Sequence, residues 1–420
     1  MGNSAAEDAG RKWMIPFFAT ILAMMALQMS NLGSSPLLKE LQKEFNISAS
    51  LYGTFIGMYG WSALLLSIPA GILAKRYGER KVMSASLLIV ALGLILLSQV
   101  GSTLTGFAAR AVYLLGYRPA FVCVMTAIAL TAPLSLRSRS MGMVGAITAV
   151  GTAIGAPFGG AIGKDFGWRN GILAFGGIVF AGAVLFFFCY RVRSQRDPSH
   201  AENRPESARS EEQSVISKGG SVFRNPVIWA LAVLEGIVGV GYFNSNWFMP
   251  QAVEFIFGRK GMTSAYILST GFIVAVFANL FFGYLMDRFN KWNVMGLMMV
   301  ILIPTSLCMN MRNLPLFWIS SAIVLSVGLS AAQQCFSLAA ELVPAREMGS
   351  VMGLVSLGPG IFGYVGVQVM GWLRDWTGGF TAGWYFLVIV AIISLLLIAY
   401  IKHYIKIHAA AQEQMASNAI

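Results

Sequence analysis

The sequence predicts an all-α integral membrane protein with about twelve spanning helices, built as two pseudo-symmetric six-helix bundles. Composition is the first reason. Of 420 residues, 56% are hydrophobic and 11% charged, whereas a soluble domain carries roughly 25% charge. The second is a series of apolar runs long enough to cross ~30 Å of hydrocarbon as helices, without the two-residue alternation of a membrane barrel. The third is a repeated loop. Gly71-Ile-Leu-Ala-Lys75-Arg76-Tyr77-Gly78-Glu79-Arg80-Lys81 and Gly283-Tyr-Leu-Met-Asp287-Arg288-Phe289-Asn290-Lys291 stand 212 residues apart, each between long apolar runs.

In chain order, the charge-bounded runs place spans at 13–34, 50–73, 82–100, 106–131, 142–162 and 170–190, then at 226–251, 264–285, 293–311, 316–343, 350–373 and 383–405. Residues 1–12 form an amino-terminal tail, 13–190 a first bundle, 191–225 a linker, 226–405 a second bundle and 406–420 a carboxy-terminal tail. The linker is assigned on its mixed charge and its Asp197-Pro198 and Arg204-Pro205 steps. The halves match beyond the loops. Cys123 and Cys335 are 212 apart, as are Gly116 and Gly328, and Pro133 and Pro344 close their spans 211 apart. Such agreement at one offset indicates duplication.

The net charge of +12 suggests nucleic acid only until its placement is read. Of 30 Lys and Arg, 20 fall on the loops and tails of one side, 8 on the other side and 2 inside a span. Positive charge accumulates on cytoplasmic loops, so both termini are expected in the cytoplasm and no nucleic-acid partner is expected. Trp13 to Ser34 is too long for a signal-peptide core, and a plasma (bacterial inner) membrane is the expected location. Cys123, Cys189, Cys308 and Cys335 lie in spans without metal spacing. His200 and His408 fall in linker and tail and His403 at the very end of the last span, and no G-x-x-x-x-G-K-[ST] loop is present. An enzyme, a cofactor, a metal and direct ATP drive are therefore not expected. The expected partners are the lipid bilayer, a small-molecule substrate, and protons or a counter-substrate, with the chain acting as a monomer.

Three charged residues, two arginines and one acid, lie well inside spans. Arg110 and Arg118 share the fourth span, eight residues apart and so near two helical turns. A guanidinium in hydrocarbon is costly and must face a wet cavity or a partner. Arg118 is then a candidate to fork onto a carboxylate, and Arg110 a candidate relay nearer the outside. The alternative for either is a structural bond to carbonyls or an internal acid. Glu235 in the seventh span can load and release a proton, pair with Arg118 in an empty site, or simply bond two helices.

The loop Gly71, Arg76, Gly78, Arg80, Lys81 and the glycine-rich fifth span (Gly142, Gly151, Gly155, Pro157, Gly159, Gly160) resemble the major facilitator superfamily over nearly the whole chain. The resemblance implies two six-helix bundles rocking about a central site lined by spans one, seven and ten. It therefore points to Gln28 and Asn31, to Tyr242, Asn244, Asn246 and Trp247, and to Gln333 and Gln334 as substrate contacts. Amides both donate and accept, which suits a small polar ligand, although they also glue helices together. In the family an Asp in the first loop caps the eleventh helix. Here that position is Lys75, and a Lys75–Glu347 pair is expected to replace the contact. Gly283 and Asp287 repeat the arrangement toward the fifth span, with Glu341 expected to clasp Arg288 or Arg346. The family's usual fourth-span Arg corresponds to Val112, so the arginines at 110 and 118 are a departure.

These readings converge on a secondary active transporter of a small organic anion, proton-coupled or exchanging. The alternatives are proton-coupled efflux of drugs or amphipathic metabolites, which the fifth-span glycines favour, and a receptor or scaffold that has lost transport.

Overall fold

The computed structural model describes residues 14–32, 34–47, 49–190, 222–258 and 262–417. The tail 1–12 and most of the expected linker, 191–221, lie outside them. The described residues are all-helical, without strands, and twelve helices are long and apolar enough to cross a membrane.

Spans one to six are the helices Met14–Leu32, Ala49–Tyr77, Glu79–Ser98, Thr103–Thr131, Arg137–Phe166 and Trp168–Cys189. Spans seven to ten are Pro226–Phe257, Met262–Arg288, Lys291–Cys308 and Leu314–Glu341, and span twelve is Thr381–Ser417. Span eleven, expected as one continuous run, is broken. Helix Met348–Val355 gives way at Ser356–Gly358 to a π-turn, Pro359–Gly363, before helix Tyr364–Thr377. A Pro flanked by two glycines explains the break, since Pro removes a backbone donor and Gly resists helix. A further element, the short helix Ser35–Glu44, caps the end of span one.

Local chemistry sets the ends. Ser102 and Thr105 form a reciprocal capping box ahead of span four. Asn225, Asn290 and Asn313 each accept a backbone N–H at the start of spans seven, nine and ten. Gly78 and Gly167 are single-residue joints between consecutive helices, with φ of +86° and +84°. Only glycine adopts that backbone without strain, which is why the loop after span two carries Gly78. Opposite the termini, Glu44 accepts from Trp168 Nε1 (2.6 Å) and Arg169 Nη1 (2.8 Å). The Arg169 bond, then that of Trp168, holds the Glu44 carboxyl below its ordinary range.

The helices turn apolar faces outward, with Leu65, Phe180, Phe277 and Ile389 all more than half exposed. A protein surface of that kind is stable against lipid, not water. Span four is the opposite case: Arg110 and Arg118 are both buried within the protein, so neither faces lipid. Spans five and eight pack together, as do spans two and eleven, and these pairs join the two halves.

Candidate functional site

The joining surfaces are tight on the side that carries the termini. On span two, Ser67, Gly71 and Lys75 recur every four residues and so share one face. Span eleven lies directly on that face. A Cβ at Gly71 would stand 2.3 Å from the Gly349 carbonyl oxygen, and one at Gly353 would stand 2.5 Å from that of Ser67. One turn below, Lys75 Nζ meets both Glu347 carboxylate oxygens at 2.6 and 2.7 Å. The expected replacement pair is therefore formed.

The second joint repeats the device with the polarity that its Asp allows. Asp287 accepts from the backbone N–H groups of Ser138 and Arg139, both at 3.0 Å, at the start of span five. Arg139 Nε adds an ion pair at 3.5 Å. An anion at a helix N-terminus is favoured by the unpaired N–H groups there. Gly142 and Gly283 permit the close approach, for a Cβ at Gly142 would stand 2.4 Å from the Asn279 carbonyl oxygen.

One expectation for this region needs correction. Glu341 pairs with Lys291 at the start of span nine, not with Arg288 or Arg346. Arg288 Nη1 instead donates to Tyr284 Oη within its own helix (2.7 Å). Arg80 ties span three to the Phe187 carbonyl of span six (2.8 Å) and lies over the Phe187 ring, so its contacts stay inside one half. Arg76 stacks on Tyr77 (5.3 Å to the ring centre).

Above the tight layer a cavity of about 350 Å³ lies between the halves. Its lining runs from Arg118, Glu235 and Pro359 at mid-span to Tyr52, Gln251 and Gln368 near the side opposite the termini. Gln28, Asn31, Tyr242, Asn246, Trp247, Gln333 and Arg110 line it as expected. Asn244 and Gln334 do not. Asn244 turns away and its Nδ2 donates to the Val240 carbonyl (2.9 Å), while Gln334 Nε2 donates to the Ser138 carbonyl (3.2 Å). A helix rotates about 100° per residue, so Gln334 cannot share the face of Gln333, and Asn244, two residues from Asn246, points away from it.

Arg118 is fully buried on the cavity floor. Its Nε donates to Ser67 Oγ (2.9 Å), its Nη1 to Tyr59 Oη (3.5 Å) and its Nη2 to the Ser356 carbonyl at the break in span eleven. It thus bridges both halves at the top of the tight layer. The Glu235 pair expected of an empty site is not formed, because the freed Ser356 carbonyl and two hydroxyls occupy the guanidinium instead. Glu235 is buried, lines the same floor, and its Oε2 has no hydrogen-bond partner. That oxygen also abuts the break: a Cβ at Gly358 would stand 2.6 Å from it.

A hydroxyl and amide network forms one wall. Tyr117 Oη donates to Gln28 Oε1 (2.8 Å), accepts from Asn31 Nδ2 (3.0 Å), and Gln28 Nε2 reaches Thr148 Oγ1 (3.3 Å). Sequence reasoning missed Tyr59, Ser67, Tyr117, Thr148 and the Ser356 carbonyl. Ser67 carried a usable signal, standing one turn before Gly71 on the face of the repeated loop. The others have none, since an aromatic or a hydroxyl in an apolar helix reads as packing.

A family model described as Major Facilitator Superfamily matches residues 17–257 and 231–415. The chain is 25% identical over 388 residues to the uncharacterized transporter YybO of Bacillus subtilis (strain 168), covering 86% of this chain and 87% of that one. It is 22% identical over 409 residues to a putative tartrate transporter of Agrobacterium vitis, covering 91% and 89% respectively. Its fold is similar to that of the E. coli fucose:proton symporter FucP, with a TM-score of 0.72 at 16% identity, over 93% of this chain and 99% of that one. With twelve apolar helices, halves joined through spans two, five, eight and eleven, and a polar cavity between them, the chain belongs to the major facilitator superfamily and is a multi-pass membrane transporter, not an enzyme.

Proposed function

We propose that this transporter carries a small organic anion of the carboxylate type by alternating access. One observation carries the reading: Arg118 is a fully buried guanidinium on the cavity floor, and among the described residues no carboxylate forms an ion pair with it. Neutral partners accept one bond from each of its nitrogens but bring no charge, and a carboxylate supplies both hydrogen bonds and charge. The name of the Agrobacterium vitis relative, a putative tartrate transporter, agrees with that chemistry.

With both termini in the cytoplasm of a bacterial cell, the tight layer is the inner gate and the cavity faces outward. The anion enters from outside and takes Arg118 as its anchor. Tyr117, Gln28 and Asn31 orient it through their hydroxyl and amides. Asn246 and Gln333 complete the wall from the other half. Glu235 is the proton carrier, since it is the acid on the floor and one of its oxygens is unpartnered. The gate then opens when the Lys75–Glu347 and Asp287 contacts part. Proton-coupled efflux of amphipathic compounds is a second reading, favoured by the aromatic wall that Tyr59, Phe121, Tyr242 and Phe243 contribute.

A thermal-shift screen of purified protein against carboxylates, sugars, amino acids and cationic drugs tests the reading. Carboxylates should raise the melting temperature, and Arg118→Ala should abolish that rise while keeping a cooperative unfolding transition. Stabilisation by cationic drugs alone, unchanged in Arg118→Ala, would replace the anion reading with the efflux one.

A further inference from the structure

A carboxylate on Arg118 leaves one cation in the cavity without a role. Arg110 sits about 12 Å along the helix axis from Arg118, toward the open end of the same cavity. It is only 3% exposed. Its guanidinium lies over the rings of Phe55 (5.5 Å) and Tyr113 (5.0 Å), and its Nε has no hydrogen-bond partner. Among the described residues no carboxylate pairs with it.

The two arginines are therefore held differently. Arg118 has a neutral partner on each nitrogen and bridges the halves. Arg110 is positioned by aromatic faces, which fix the plane of a guanidinium and attract its charge but leave its in-plane donors unused. Burying an unpaired charge is costly, so a merely structural arginine here would be a net loss. The cost is recovered when an anion arrives at the unused edge.

Charge counting points the same way. Among the described residues lining the cavity, Glu235 is the one acid, set against two guanidinium groups. The described lining therefore carries one net positive charge with Glu235 ionised and two with Glu235 protonated. A monoanion balances the first state only. A ligand with two negative charges balances the second, and then travels with the proton on Glu235.

Resting on the carboxylate reading, we propose that the substrate is a dicarboxylate, held with one carboxylate on Arg118 at the floor and the other on Arg110 nearer the mouth. The axial separation of the two residues selects two spaced charges over one compact doubly charged group such as sulfate or phosphate. Arg110 is then the residue that separates diacids from monoacids, because a monoacid seated on Arg118 leaves it as unpaired as it is in the empty cavity.

Equilibrium binding to the purified full chain tests this with matched ligands. The diacids malonate, succinate, glutarate and adipate are each compared with the corresponding half-amide, which keeps the shape and neutralises one end. In the native protein at least one diacid should bind ten-fold or more tightly than its half-amide. Arg110→Gln should reduce that ratio to near one, and Arg110→Lys, which keeps the charge, should retain part of it. Equal affinity of every diacid and its half-amide in the native protein, a comparison that needs no variant, would overturn the proposal while leaving the carboxylate reading intact. An Arg110→Gln protein that keeps the full ratio would do the same. Tighter binding of sulfate or phosphate than of any diacid would replace two spaced charges with one compact one. Failure of all carboxylates to bind would instead remove the carboxylate reading, and this proposal with it.

Discussion

Reversing the charges of the Lys75–Glu347 pair probes the inner gate most directly. The Nζ sits 2.6 and 2.7 Å from the two carboxylate oxygens, with side chains 34% and 27% exposed. A pair this accessible to water contributes about 1 kcal/mol at most. Reversing one charge replaces attraction with repulsion of similar size, so Lys75→Glu or Glu347→Lys should raise the closed-gate state by about 2 kcal/mol. An energy of that size shifts a two-state population by up to roughly 30-fold. The readout is the distance across the terminal side by electron–electron double resonance. Spin labels at Lys81 and His403, exposed on opposite halves, serve in a background lacking Cys189 and Cys308. Each single reversal should move the distribution to longer distances, and the double reversal should restore the native one. A double variant as displaced as its worse parent would refute the reasoning, because the gate would then depend on the shape of these side chains and not on their charge.

Two further outcomes are expected from the same geometry. Gly71→Ala sets a methyl 2.3 Å from the Gly349 carbonyl oxygen, and relieving that overlap costs about 1–3 kcal/mol; transport should fall and the same label pair should lengthen, whereas unchanged flux in proteoliposomes would show that the helices separate there at no cost. Glu235→Gln keeps the shape of the side chain but removes the proton site; uphill transport should be abolished while exchange is partly retained, and equal loss of both modes would take Glu235 out of the coupling step.

The sequence carried the fold because each of its signals is local or periodic. Twelve apolar runs satisfy their own backbone hydrogen bonds in hydrocarbon, and a shift of about 212 residues lays one half on the other, so span count and duplication were legible. The Lys75–Glu347 pair was legible too, because a cation in the loop's acidic position calls for an acid at the start of span eleven. Glu341 was not, since Lys291, Arg288 and Arg346 all stand close to a span end and only packing decides which one it meets.

The site needed tertiary structure for a different reason. Gln333 and Gln334 are chemically identical neighbours, and helix rotation alone sends the first into the cavity and the second onto Ser138. Arg118 was recognisable as costly, but not as a bridge to a carbonyl released by a break 238 residues away. By itself the sequence determined which charges had to be buried and that they had to lie between two halves, because hydrocarbon tolerates them nowhere else. Packing alone decided which charges found neutral partners and which was left open, since that depends on the angle at which two bundles meet, and no local stretch of chain encodes it.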